Sequence, residues 1–282
     1  MKRVFTMVGN FEERNLTIWD IRALKGQQIL TQTLPSCPED ASAATKAGID
    51  LLNVRFEPEF PHRAAAIRGV SPKTFTTFAM PLIGVSSSQE ALRMAHSALQ
   101  LGADSIMCQW SLEFVETLSK AGIPVQGHVG LVPRKSMWTG GLRAVGKTTG
   151  EAMSIYQDIK DLENAGAWAV ECEVMPSRVT EELSKRTSLI TVSIGAGSAG
   201  DVQFLFARDI LGDGPGPFPR HSKQYCDLEY ARASMQDMRK TAFSAFIADV
   251  HSGSFPASQH EVKIDDEAYQ SLVTELDKVQ KI

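Results

Sequence analysis

The sequence of 282 residues predicts an α/β protein built on a (β/α)8 barrel. Three observations support this fold class. Short apolar segments alternate with helical ones about eight times between residues 27 and 212, no internal repeat or low-complexity linker interrupts them, and no GxGxxG motif follows an early segment. The missing glycine motif counts against a dinucleotide-binding fold. A doubly wound sheet is the structural alternative.

The strand candidates are apolar runs of four to six residues, the length of strands buried in a parallel sheet. Between most of them lie stretches with helical character, and Ser88 and Thr149 start two of these, each followed by an early glutamate. The predicted strands are Ile29–Thr33, Leu51–Val54, Thr74–Ala79, Ser105–Cys108, Pro124–Val129, Ala169–Val174, Leu189–Ile194 and Gln203–Ala207. The predicted helices are Ser88–Leu101, Leu112–Ala121, Thr149–Ala165 and Ser177–Arg186.

The chain beyond the barrel is predicted to be helical. The stretch GDGPGPFP at residues 212–219 ends the barrel, and apolar residues then recur near helical spacing within Leu228–Val250. A further helix is expected over Asp265–Lys281. We predict one domain over residues 1–282, with the barrel at about 27–212 and the C-terminal helices at about 228–282.

Composition excludes several classes of partner. A net charge of -4 gives no case for nucleic acid or an anionic membrane. No run of 18 apolar residues and no apolar N-terminal segment is present, so neither a membrane span nor a secretory signal is predicted. The cysteines form no CxxC pair, which predicts reduced thiols in the cytoplasm rather than a zinc site or disulfides. They are Cys37, Cys108, Cys172 and Cys226.

Two polar residues stand at the ends of predicted strands. His128 ends the fifth strand and Glu173 the sixth, and such strand ends converge at the C-terminal mouth of a barrel. A partly buried carboxylate suits removal of a proton beside a carbonyl. Alternatively, Glu173 pairs with an arginine or lysine at the rim, and His128 only hydrogen-bonds to backbone.

The turn SIGAG (Ser193–Gly197) ends the seventh predicted strand. Its small residues allow backbone N–H groups to approach an anion, so Ser193 and Gly195 are candidate substrate-binding residues. The alternative is a tight turn that binds no ligand.

The segment from Gly127 to Glu173 resembles the ketopantoate hydroxymethyltransferase family, within the phosphoenolpyruvate/pyruvate-type barrels. It contains GHVGLVP, GGLRAVGKTTGEA and DLENAGAWAVECE, where the family shows GH(L/V)GL(T/M)PQ, GG(F/Y)(R/K)VQG(R/K)(T/G) and AGA-x5-E. SIGAG and HSGSFPASQH resemble the family's GIGAG and ESGxFPxxxH. The resemblance covers roughly Thr17 to His260.

The resemblance implies an enzyme that adds a hydroxymethyl group to a branched 2-oxo acid, using Mg²⁺ and a one-carbon unit that tetrahydrofolate can carry. It implies that Glu173, counted from AGA, is the base that removes the substrate's C3 proton. It also implies a decamer, two stacked rings of five. We expect a homo-oligomer formed through the Leu228–Val250 helix and a small-molecule acid as substrate.

The family's metal ligands are absent from this sequence. The family binds Mg²⁺ through aspartates of VGDS and (L/A)DLPF and the glutamate of VK(I/L)EG, and these positions align with Phe56, Ala79 and Gln109. The family's substrate-binding lysine aligns with Met107. Because Mg²⁺ requires hard oxygen ligands, no metal cofactor is predicted.

A different charge could replace the ion. Arg55 lies at the same strand end and could bind a carboxylate with two hydrogen bonds, with Glu57 and Gln109 beside it. Alternatively, Arg55 pairs with Glu57 or Glu59.

Three functional hypotheses follow. The preferred one is a metal-independent aldol-type enzyme that makes or breaks a carbon–carbon bond beside a carbonyl, on a changed substrate. The second is a genuine 3-methyl-2-oxobutanoate hydroxymethyltransferase with a rebuilt metal site. The third is a non-catalytic barrel used for binding or assembly. The rebuilt site would use Glu57, Glu59, His62 and Gln109.

Overall fold

Eight parallel strands close into a barrel in the computed structural model, which describes residues 1–82 and 85–279. The predicted (β/α)8 barrel is confirmed, and each predicted strand matches an observed one to within one residue at either end. A hairpin of β1 (Lys2–Phe5) and β2 (Phe11–Arg14) precedes the barrel. The barrel strands are β3 (Leu30–Leu34), β4 (Leu51–Arg55), β5 (Phe75–Ala79), β6 (Ser105–Met107), β7 (Val125–Gly130), β8 (Ala169–Glu173), β9 (Ile190–Ile194) and β10 (Val202–Phe206). β10 pairs with both β9 and β3, which closes the barrel.

Helices connect most of the strands. The four predicted helices begin at the predicted residues, but their capping residues are Ser87 and Thr148 rather than Ser88 and Thr149. Each cap hydroxyl accepts a hydrogen bond from the backbone N–H of the glutamate three residues later. The helices are α1 (Ile18–Ala23), α2 (Pro38–Ala47), α3 (Pro61–Val70), α4 (Ser88–Gln100), α5 (Leu112–Lys120), α6 (Ser136–Thr139), α7 (Thr149–Asn164), α8 (Ser177–Ser184) and α9 (Ala207–Leu211).

Strand alternation divides the core into two layers. One apolar cluster fills the interior towards the N-terminal ends of the strands, and it includes Leu30, Phe75, Trp168 and Ile190. The other packs the outward residues of the strands against the helices. The polar inward residues are therefore left near the C-terminal mouth.

A buried charge cluster lies at the N-terminal ends of the strands. Arg14, at the end of the hairpin, places its Nε 2.6 Å from Asp104 Oδ1, and Arg68 Nη2 lies 3.4 Å from Asp104 Oδ2. The backbone N–H of Thr76 also donates to Asp104 Oδ2, at 2.9 Å. These contacts tie the hairpin, α3, β5 and β6 together. This hairpin was not predicted from the sequence.

The chain forms two compact units, and the second begins at Leu228. It contains α10 (Leu228–Ser252) and α11 (Asp266–Val279), which confirms both predicted helices, although the predicted end at Lys281 lies outside the described residues. Phe255 of the FP motif contacts the rings of Phe246 and His260, so this motif has a packing role. The single-domain boundary stays a prediction. Among the described helices, none is long and apolar enough to cross a membrane.

Candidate active site

His128 points into the barrel from β7, and the glycines around it set the positions of its neighbours. A Cβ atom on Gly127 would lie 2.6 Å from the side chain of Leu162 on α7. Gly130 has φ of +83°, and a Cβ there would lie 2.3 Å from the backbone oxygen of Glu173. The GHVG motif therefore brings α7 and β8 close to the strand that carries His128.

Glu173 ends β8, and the residue after it has a strained backbone. Val174 has φ of 47°, which is rare for a β-branched residue and costs about 1–3 kcal/mol. Two backbone hydrogen bonds hold this conformation: Val174 donates to Ile194 O at 2.9 Å, and Val145 donates to Val174 O at 3.2 Å. The strain lies directly beside the candidate base, where it fixes the direction of the chain.

Three titratable side chains meet below the mouth. His128 Nε2 lies 2.9 Å from Glu173 Oε2 and 3.8 Å from Glu171 Oε1. His128 and Glu171 are neighbours across β7 and β8, and two-residue periodicity turns Glu173 to the same side as Glu171. We call His128, Glu171 and Glu173 the mouth cluster.

The mouth cluster is poorly supplied with hydrogen bonds. The side chain of His128 is only 1% exposed, yet neither ring nitrogen makes a hydrogen bond of acceptable geometry, because the 2.9 Å contact is badly angled. Glu171 is buried as deeply and accepts one long hydrogen bond, from Gln126 Nε2 at 3.4 Å. Glu173 is 19% exposed. The structure shows neither alternative arrangement. The basic group within ion-pair distance of Glu173 is His128 rather than an arginine or lysine. Among the described residues, the His128 ring makes no hydrogen bond to backbone.

Burial raises the pKa of Glu171 to about 7, and the negative charge of Glu173 adds to this effect, while His128 opposes it. A carboxyl with such a pKa exchanges its proton near neutral pH. A group suits acid–base catalysis best when its pKa lies near the working pH, so Glu171 is a candidate proton carrier.

A cavity of about 570 Å³ opens above the mouth cluster. Arg55 and Glu57 line one wall, and Gln109 lines another. Glu57 pairs with Arg63 at 3.0 Å, so the expected alternative pairing of Arg55 with Glu57 is not the one observed. Within the described residues, no ion pair holds Arg55. The cavity thus combines a cationic side chain with the base of the cluster, although the binding roles of these residues stay predictions.

Ser193 and Gly195 lie at a different cavity, of about 830 Å³. Ser193 Oγ donates to Gly197 O at 2.6 Å, and a Cβ on Gly195 would come within 2.8 Å of the His221 ring. Residues 195–201 connect β9 to β10 by turns without a helix. The structure therefore does not bring these two residues into the mouth cavity with His128, and their predicted role in binding stays a prediction.

The family's metal positions do not fit Mg²⁺ in this chain. Phe56 is buried and stacks on Phe78 at 6.3 Å between ring centroids, and Ala79 supplies only a methyl group. Gln109 retains one buried amide oxygen without a hydrogen-bond partner. One neutral oxygen cannot replace three carboxylates around a hard cation.

The substitute ligands do not assemble either. Glu59 and His62 are exposed, and Glu57 is held by Arg63. Across residues 1–82 and 85–279, the His, Cys, Asp and Glu side chains that could jointly hold a metal ion form one group, the mouth cluster, whose ligand atoms lie within 4.8 Å of one another. The family is generally metal-dependent, and this group lies on different strands from the family's ligands.

The buried thiols near the site are poor nucleophiles. Burial raises the pKa of Cys108 to about 11 and that of Cys172 to about 12. Because the thiolate is the reactive form, neither residue offers covalent catalysis at neutral pH.

Two members of the site had a weaker signal in the sequence. Strand alternation turns Glu171 to the same side as Glu173, two residues deeper, but it predicts no contact with His128. Gln126 was not singled out at all. The usable signal is the spacing of two residues in Gln126–His128 and in Glu171–Glu173, which turns all four side chains into the barrel.

Comparison with known proteins assigns this chain to a family. A sequence profile for ketopantoate hydroxymethyltransferase matches residues 39–258. The 3-methyl-2-oxobutanoate hydroxymethyltransferase of Thermus thermophilus is 33% identical over 265 residues, which cover 86% of this chain and 98% of the relative. The enzyme of the same name from Pyrobaculum islandicum is 33% identical over 213 residues, 74% of this chain and 78% of the relative.

A crystal structure of 2,3-dimethylmalate lyase, a PEP mutase/isocitrate lyase superfamily member, has a TM-score of 0.52 at 13% identity. The match covers 82% of this chain and 89% of that structure, and it supports the fold alone. The sequence relatives confirm the predicted enzyme class, which is hydroxymethyltransferase-like. The chain belongs to the ketopantoate hydroxymethyltransferase family.

Proposed function

We propose that this protein transfers a hydroxymethyl group by an aldol-type reaction on a small 2-oxo acid, with Glu173 as the base. The contact of 2.9 Å between Glu173 Oε2 and His128 Nε2, below an open cavity, is the observation that supports this proposal most strongly. A carboxylate that touches both substrate and imidazole can take a proton and pass it on.

In the proposed reaction the Glu173 carboxylate removes a proton from the carbon beside the substrate carbonyl. The electron pair of that C–H bond forms the enolate. The enolate carbon then attacks the carbon of a one-carbon unit at the oxidation level of formaldehyde, free or released from tetrahydrofolate. The aldehyde oxygen takes up the proton held by the Glu173–His128 pair, so that C–H and CH₂O become C–CH₂OH.

Substrate recognition should differ from that of the family. Met107 occupies the position of the family's lysine, and Asn53 Nδ2 lies 3.5 Å from its sulfur. A thioether cannot bind a carboxylate. Arg55, on the cavity wall, is the proposed anchor for the acid group of the substrate and a counter-charge for the enolate. We therefore propose a changed substrate and a reaction that does not use the family's Mg²⁺ site.

A second candidate is the reaction named for the relatives, on 3-methyl-2-oxobutanoate. The identity of 33% over nearly the whole Thermus thermophilus relative favours it. The two candidates share the base and differ in how the acid group is bound.

The test is proton exchange in D₂O, followed by ¹H NMR, on a panel of 2-oxo acids that includes 3-methyl-2-oxobutanoate. We expect exchange at the carbon beside the carbonyl to persist with EDTA present and to stop in Glu173→Gln. Glu181→Gln on the surface of α8 is the matched control, since it makes the same change far from the cavity. Exchange that needs Mg²⁺, or that survives in Glu173→Gln, would contradict the mechanism.

Assembly belongs to the same proposal. We propose a homo-oligomer, because apolar side chains such as Met238, Phe243 and Ile247 lie exposed on α10. Light scattering of the purified protein tests it, and a monomer at micromolar concentration would exclude it.

A further inference from the structure

We propose that His128, Glu171 and Glu173 form a binding site for one divalent transition-metal ion, on strands β7 and β8 rather than at the family's metal positions. The ion would be of the Zn²⁺, Co²⁺ or Fe²⁺ type. This inference does not depend on the proposed function, because binding is measured without turnover.

The distances within the mouth cluster suit a small cation. Ligand atoms on a four-coordinate ion with bonds near 2.1 Å stand about 3.4 Å apart. The two separations from His128 Nε2, 2.9 Å to Glu173 and 3.8 Å to Glu171, bracket that value. All three ligand atoms lie within 4.8 Å of one another, so rotation of the carboxylates about their side-chain bonds is the movement that would bring them around one ion.

The hydrogen bonding of the cluster points to a missing partner. The imidazole of His128 is 1% exposed at the floor of the cavity, and yet neither Nε2 nor Nδ1 makes a hydrogen bond of acceptable geometry to any of the described residues. Buried polar atoms are rarely left so. An imidazole nitrogen that lies 2.9 Å and 3.8 Å from two carboxylate oxygens, without a hydrogen bond to either, is an arrangement in which a metal ion can supply the missing interaction.

The charges lead to the same conclusion. Two carboxylates lie side by side in the interior, and within the described chain His128 is the one basic side chain within ion-pair distance of them. A buried pair of acids needs a compensating cation, either a proton or a metal ion. An imidazole among the ligands favours Zn²⁺, Co²⁺ or Fe²⁺ over Mg²⁺, which prefers oxygen alone.

Metal binding and base catalysis would exclude each other here. The same Glu173 carboxylate that removes a proton in the proposed reaction would be bound to the ion. We therefore expect the bound ion to inhibit rather than to assist, which reverses the role that a metal has in the family.

The experiment titrates metal-stripped protein with Co²⁺ and Zn²⁺, using Co²⁺ absorption and calorimetry. We expect one ion per chain, and affinity at least about 100-fold lower in His128→Gln and Glu171→Gln. His96→Gln on the exposed face of α4 and Glu181→Gln are the controls and should bind as the unmodified protein does. Circular dichroism verifies that each variant folds.

A second measurement removes the dependence on variants. In ¹⁵N-histidine-labelled protein, Zn²⁺ should shift the imidazole resonances of one buried histidine. Equal affinity in the unmodified protein and both ligand variants, or no histidine shift on Zn²⁺ binding, would overturn the proposal. Loss of proton exchange on adding Zn²⁺ supports inhibition. A site that binds Zn²⁺ in a protein without any exchange activity would leave the metal site standing and refute the proposed function instead.

Discussion

The barrel buries charged side chains at both ends, and the two ends differ in how those charges are paired. At the N-terminal end, Arg14 and Arg68 face two carboxylates, those of Asp104 and Glu12, and Asp104 also accepts a backbone hydrogen bond from Thr76. At the mouth, two carboxylates share one imidazole whose nitrogens have no well-formed hydrogen bond. Balanced charge is what a structural cluster requires, because unpaired charge in the interior is destabilising. The uncompensated charge inside the closed barrel is the reason to assign the candidate active site to the mouth.

The largest expected effect is on catalysis at the mouth. Glu173→Gln keeps the shape of the side chain and removes its basicity, so proton exchange should fall by about 100- to 10,000-fold. The melting temperature should change little, since Glu173 is partly exposed. If exchange and melting temperature fell together, Glu173 would be structural and the comparison between the two ends would fail.

At the other end the effect should fall on stability. Asp104→Asn leaves Arg14 and Arg68 with only the partly exposed Glu12 as a counter-charge, which should lower the free energy of unfolding by about 3 kcal/mol. Denaturant titration measures this change. The control is Glu13→Gln in the same hairpin. It removes an exposed ion pair between Glu13 and Lys73, and the denaturant concentration at the midpoint of unfolding should not change. Exchange activity per folded molecule should be unchanged in both.

The pH dependence of stability sharpens the contrast. In protein freed of divalent ions, the pKa of Glu171 is about 7 when folded and near its ordinary 4.5 when unfolded. Between these values the folded state holds a proton that the unfolded state has lost, so the free energy of unfolding falls as pH rises from about 4.5 to 7. Glu171→Gln removes this penalty and should be more stable than the unmodified protein at pH 8, by at most about 3 kcal/mol.

Denaturant titrations of both proteins at pH 5 and pH 8 provide the measurement. The stability difference should be larger at pH 8. A difference independent of pH would mean that Glu171 is ionised in the folded state and has its charge compensated.

The smallest effect on stability is expected from a substitution of Gly130, where β7 and β8 approach each other closely. Gly130→Ala must place a Cβ near Glu173 O at φ of +83°, which should cost about 2 kcal/mol of stability. Because the clash lies at the backbone of the base, exchange should also slow. Gly122→Ala, at φ of +80° in an open turn, is the control for the backbone effect alone, and its exchange rate should be normal.

Much of the fold could be predicted because the signals are local. Each barrel strand is a short apolar run, and helices began where the amphipathic pattern began. The convergence of His128 and Glu173 was also predictable, since parallel strand ends meet at one mouth. The contact between His128 and Glu171 was not, because alternation gives the facing of a side chain but not its depth or rotamer.

The SIGAG turn shows a case in which strand alternation was more informative than the family resemblance. The resemblance suggested a substrate contact, yet Val192 and Ile194 belong to the interior cluster, which turns Ser193 outward. Strand alternation alone contained that information. The resemblance located the turn correctly and said nothing about which of its faces meets the mouth cavity.

The spacing of the two glutamates on β8 offers a marker for sorting relatives. The chain has AGA-x3-E-C-E, with Glu171 two residues before the glutamate that the family motif AGA-x5-E contains. If the three residues of the mouth cluster act together, this additional acid should covary with the loss of carboxylates at the positions of Phe56 and Ala79. Members of the family could then be divided into two groups by the residue types at these three positions, before any of the proteins is purified.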